Sequence, residues 1–185
     1  EDVELPPRAQ RCNPLRLYLV TEVYMSGGHS RMLEDFIAAV PSARHVVIFS
    51  DLFARQGGAQ EAIRQIESRG ASVVVVNEET FVLRSLRLVR YLKEYQPDIC
   101  ILFNHHQDAP VIAACLPEFC RDYYFYHHAD HNLCLGARVP HFRHIDISPW
   151  QFERCSGWQD DNIYIPITCP DQGVGGYAGR RSGSL

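Results

Sequence analysis

Five of the nine histidines lie in two short polar segments, Asn104-His105-His106-Gln107-Asp108 and His127-His128-Ala129-Asp130-His131-Asn132. Each segment follows an apolar run. Imidazole can ligate a metal, donate to phosphate or sugar oxygens, or bond the backbone of its own loop. A single histidine in a loop usually does the last of these; five gathered in two loops point more towards a pocket for an anion or a sugar. The spacing in HHADH meets no required metal-ligand pattern, so neither a metal nor a cofactor is expected. Asp130, with His128 and His131 close by, supplies the carboxylate that a general base needs if it reaches a reacting hydroxyl. Its other reading is a turn residue bonding its own loop. Asp108 is the second carboxylate, and it also suits the N-cap of a helix opening at Ala109.

A third segment, Ser26-Gly27-Gly28-His29-Ser30-Arg31, joins an apolar run to a helical pattern. Gly27 and Gly28 let the backbone approach a ligand closely, and the helix start behind them offers free N–H groups and a positive dipole end. The same glycines also suit a plain strand-to-helix turn. Arg31 can pair with an anion there or lie exposed on the helix, and His29 can face the pocket or sit on the first turn. Ser148 follows a later apolar run and completes the set of candidate binding residues, Gly27, Gly28, His29, Arg31, His105, Asp108, His131 and Ser148. Asp130 and His128 are the catalytic candidates.

The elements that must hold these segments alternate. Strands are predicted over 16–23, 45–50, 71–76, 99–103, 123–126, 145–148 and 163–165. Helices are predicted over 30–40, 60–69, 79–95, 109–116 and 149–155. The first strand is nearly all apolar, as expected where both faces of a parallel sheet are covered. The helix over 79–95 offers Phe81, Leu83, Leu86, Leu88, Val89 and Leu92 as apolar positions and a basic exposed face of Arg84, Arg87, Arg90 and Lys93. The alternation predicts an α/β, Rossmann-like, doubly wound parallel sheet of six or seven strands. Ligands of such sheets bind outside the carboxyl ends of the strands, where the polar segments above all fall. Residues 1–14 read as an arm, 15–171 as the folded unit, and 172–185, rich in glycine and serine, as a linker or cut end.

At 185 residues the chain can bury a proper core. Its net charge of −4 argues against a general nucleic-acid binder, whose footprint would be basic. No apolar run approaches the roughly 18 residues of a membrane span, which leaves open only peripheral contact with a membrane surface. The polar opening EDVELPPRAQR lacks the layout of a signal peptide. Seven cysteines, with no CxxC pair, fit a reduced, cytoplasmic setting better than a disulfide framework.

Several stretches together resemble a family. The strand followed by Gly27-Gly28-His29-Ser30-Arg31 is similar to the opening of GT-B glycosyltransferases of the family-4 type. Ile145-Asp146-Ile147-Ser148-Pro149-Trp150-Gln151 is similar to their sixth strand and following helix, and Asn162-Ile163-Tyr164-Ile165-Pro166-Ile167 with Asp171 to the segment that closes their N-terminal domain. Tyr126-His127-His128-Ala129-Asp130-His131 with Leu135-Gly136 resembles a loop of some bacterial members. The resemblance covers roughly residues 15–171, and order and spacing carry it more than any one motif. The chain departs from the pattern at Thr168-Cys169-Pro170, where the family usually has Asn-Gly. The resemblance implies the acceptor-side half of an enzyme that moves a sugar from a nucleotide-sugar donor to a hydroxyl of a carbohydrate-type acceptor. It implies a second, C-terminal domain that holds most of the donor. Two other classes stay open: a metal-dependent hydrolase using the histidine loops, and a non-catalytic nucleotide- or sugar-binding module.

Overall fold

A computed structural model describes residues 12–24, 28–53, 60–127 and 134–166. Seven strands form one sheet: β1 (Leu15–Val20), β2 (Arg44–Phe49), β3 (Ala71–Val75), β4 (Ile99–Phe103), β5 (Asp122–His127), β6 (Phe142–Asp146) and β7 (Ile163–Tyr164). Their spatial order is β3-β2-β1-β4-β5-β6-β7, and every pairing is parallel. Among the described residues, five helices connect them: α1 (Gly28–Ala38), α2 (Gln60–Ser68), α3 (Phe81–Tyr95), α4 (Ala109–Ala114) and α5 (Pro149–Cys155).

Alternate side chains of the strands feed two cores, as a period of two requires when both faces are covered. On one face Leu15, Leu17, Leu19, Val46, Ile48, Leu102, Phe125 and Phe142 pack with Leu88 and Leu92 of α3 and Val111 of α4. On the other, Tyr18, Val20, Val47, Phe49, Phe103 and Tyr126 pack with Met32, Leu33 and Ile37 of α1 and Ile63 and Ile66 of α2. The expected doubly wound, Rossmann-like α/β sheet is therefore what the chain forms. Strand order runs outward one way from β1 to β3 and the other way from β4 to β7, so the reversal lies between β1 and β4. A crevice opens at such a reversal on the carboxyl edge.

Element boundaries shift in physically readable ways. The sixth strand starts at Phe142 rather than Ile145, because Phe142, His144 and Asp146 pair with Tyr123, Phe125 and His127 of β5. The half-exposed Arg143 between them, paired with Asp161 at 2.7 Å, interrupts the apolar run and hid the pattern. The basic face expected of α3 is corrected at Arg84. The buried stripe runs Arg84, Leu88, Leu92 and Tyr95, while Phe81, Leu83 and Leu86 are 58%, 50% and 59% exposed. The guanidinium of Arg84 donates to the Glu78 carbonyl, which lies just ahead of the helix. No helix of the described residues is long and apolar enough to cross a membrane.

Candidate functional site

Because all strands are parallel, the residues that follow them share one edge. Asp108 is the fixed point of the carboxyl edge at the β1–β4 reversal. Its side chain is fully buried. One carboxylate oxygen accepts the Thr21 hydroxyl at 2.6 Å and also the Ser50 hydroxyl. The other accepts the Val111 N–H at 3.2 Å, the N-cap bond of α4. Thr21 in turn accepts the His105 N–H at 2.6 Å. One carboxylate thereby ties the ends of β1, β2 and β4 together. Burial pushes its pKa above the ordinary carboxylate range, against the opposing pull of the Ser50 and Thr21 hydroxyls, the Val111 N–H and the Arg84 charge. Thr21 and Ser50 were not among the sequence-derived candidates. Their partner lies 87 and 58 residues away, and no local pattern announces such a bond.

The chain after β4 is bonded to the stretch that follows the second histidine segment. The Leu135 N–H donates to the His106 carbonyl at 3.0 Å, joining the chain after β4 to the chain after β5. The rings of His105 and His106 lie 3.9 Å apart, centroid to centroid, and His105 also meets Phe53 edge-on at 5.1 Å. Gly136 holds the return of the second loop close over the sheet. Its φ is +100°, and a Cβ there would come within 2.7 Å of Ile112 Cδ1 and 3.0 Å of Phe125. Only glycine tolerates both the conformation and the approach.

The remaining candidates separate. Gly28 opens α1 and is exposed, while His29 is half-buried, edge-on to Phe103 at 5.5 Å and to Tyr126 at 6.5 Å. Arg31 is exposed and pairs with Asp35 one turn on, at 3.2 Å. Ser148 caps α5: it accepts the Gln151 N–H at 3.2 Å, and the Gln151 side chain accepts the Ser148 N–H in return, a capping box. Gln151 also donates to the His127 carbonyl at 2.9 Å, fastening α5 to the end of β5. Gly27, His128, Asp130 and His131 lie outside the described residues.

A second polar cluster sits where β5 and β6 end. The register sets His127 opposite Asp146, and the period of two puts His144 on the same face. His127 Nδ1 lies 3.3 Å from Asp146 Oδ1, and His144 Nδ1 lies 3.2 Å from Cys155 Sγ. Burial alone would lower the pKa of His127; its hydrogen bonds to Asp146 and Cys134, with their charges, raise it to about 9. Burial would raise Asp146, but bonds from His127 and Asn162 hold it below its ordinary value. The neighbours thus favour the charged forms of His127 and Asp146. Of this group the sequence had singled out only the loop opened by His127. The pair His144 and Asp146, two apart on a strand, was a usable signal of a shared face.

The fold and the edge define a class, a doubly wound α/β protein with buried polar side chains bonded to one another at its strand-order reversal. Comparison with known protein families finds no family model that matches the chain, and comparison with curated proteins finds no match.

Proposed function

We propose that this chain is the acceptor-side domain of a GT-B glycosyltransferase, which moves a sugar from a nucleotide-sugar to an acceptor hydroxyl. The observation that carries the reading is the convergence at the carboxyl edge: the chain after β4 bonds the chain after β5, beside the strand-order reversal between β1 and β4. The chain after β5, through Leu135-Gly136, and the chain after β1 are among the stretches where the sequence resembles that family. In this reading Gly27 and Gly28 let the α1 end of the backbone come close to the ligand. His105, held by Thr21, and the loop containing His128 and His131 supply imidazole donors to hydroxyl or phosphate oxygens. If the reaction inverts the anomeric centre, Asp130 takes the acceptor proton as the acceptor oxygen bonds the sugar carbon and the nucleotide leaves. In a retaining reaction the same loop positions donor or acceptor. A GT-B site is completed by closure of a second domain.

A hydrolytic metal has less support. Such a metal keeps a coordination position open to water, whereas His144, Asp146 and Cys155 are all buried. The test is turnover of a panel of nucleotide-sugars by this chain, alone and joined to the residues that follow it in its natural reading frame. Transfer by the joined protein supports the reading; robust transfer by the chain alone overturns the half-site.

A further inference from the structure

We propose that His127, His144, Asp146 and Cys155 are the ligands of a structural zinc ion at the carboxyl ends of β5 and β6. One ligand atom from each lies within 4.8 Å of all the others, the one such group among the described residues. Four of the six separations are 3.2 Å (His144 Nδ1 to Cys155 Sγ), 3.3 Å (His127 Nδ1 to Asp146 Oδ1), 3.7 Å (Cys155 Sγ to His127 Nδ1) and 3.9 Å (His144 Nδ1 to Asp146 Oδ1). A tetrahedral zinc with bonds of about 2.0–2.1 Å to nitrogen or oxygen and about 2.3 Å to sulfur sets its ligand atoms roughly 3.3–3.8 Å apart. These four separations lie within about 0.1 Å of that range and no pair of the set exceeds 4.8 Å, so the cluster is close to the size of a zinc coordination shell before any ion enters.

The donor set agrees. Two imidazoles, a thiolate and a carboxylate suit zinc better than magnesium or calcium, which take oxygen ligands. His144 and Asp146 are fully buried and Cys155 is 1% exposed, as in closed structural sites. Outer partners already orient the ligands. Asn162 Nδ2 donates to Asp146 Oδ2 at 2.8 Å, leaving Oδ1 for the ion, and Gln151 holds the His127 carbonyl. Binding displaces the Cys155 thiol proton to solvent, leaving a thiolate ligand. The ion would cross-link β5, β6 and α5 at the residue from which the 128–133 segment departs. The expectation of no metal was drawn from the spacing of HHADH, and only His127 belongs to that segment. This proposal does not rest on the glycosyltransferase reading.

The test strips the full 185-residue chain of metal with a chelator and titrates it with zinc, and separately with cobalt(II). Zinc should bind at one equivalent. At about a hundredfold excess over its dissociation constant it should raise the melting temperature by roughly 5–10 °C. Cobalt should give the intense visible bands of a tetrahedral ion and a thiolate charge-transfer band. Both bands should persist in Cys12→Ser, which removes an exposed thiol, and disappear in Cys155→Ala. Folded wild-type chain that gives neither one-equivalent binding nor a thiolate band would overturn the proposal without recourse to a variant. So would a Cys155→Ala spectrum like that of the wild type, leaving a hydrogen-bonded network only.

Discussion

At the scale of single residues, Asp108 does structural work, and Asp130 has a role only in the proposed chemistry. Asp108 is a structural carboxylate, buried under the ends of three strands, with its acceptors filled by Thr21, Ser50 and Val111. Its raised pKa means the folded chain holds this proton to a higher pH than the unfolded chain does. Folding then takes up a proton in that interval, so the Asp108 contribution falls as pH rises from the ordinary carboxylate range through the raised value. Asp108→Asn should remove this part of the pH slope. Denaturation midpoints at a series of pH values check it, and parallel wild-type and variant curves would refute it. Asp130 belongs instead to the proposed chemistry. In the two-domain enzyme, if it is the general base, Asp130→Asn should lower turnover by roughly 100-fold or more, with acceptor binding and melting temperature nearly unchanged. A loss of stability with intact turnover per folded molecule would remove it from the catalytic list.

At the scale of elements, the segment that returns over the sheet after the second histidine loop depends on one backbone position. Gly136→Ala adds a Cβ at φ +100° against Ile112 and Phe125, and should destabilise the chain by about 1–3 kcal/mol. Chemical denaturation measures this, and a change under a few tenths of a kcal/mol would show that the loop gives way freely. Ser148→Ala should cost about 1 kcal/mol, the usual worth of an N-cap, read by the same method. Elements of this kind were legible in the sequence because each is a local pattern. The apolar run of β1, the Pro149 start of α5 and the proline-bounded ends all speak within a few residues. What was hidden depends on distant partners. Arg84 looked like one of a row of exposed cations, because a helical pattern alone does not say which stripe a helix turns inward. The Thr21–Asp108–Ser50 bonds and the approach of Cys155 to His144 exist only once the sheet has formed.

At the scale of the molecule, the parallel sheet explains why separate polar loops can act together: every strand delivers its following loop to one edge, and the order reverses between β1 and β4. The proposed activity needs that edge covered by a second domain, since closure both assembles the site and excludes water. The direct measurement is sugar transfer from a panel of nucleotide-sugars, made on the chain alone and on the chain continued through its natural reading frame. The account predicts transfer by the continued protein, lowered roughly 100-fold or more by Asp130→Asn if that carboxylate is the base, and little or none by the chain alone. Efficient transfer by the chain alone, or a continued protein that folds yet transfers no sugar from any donor, would contradict it.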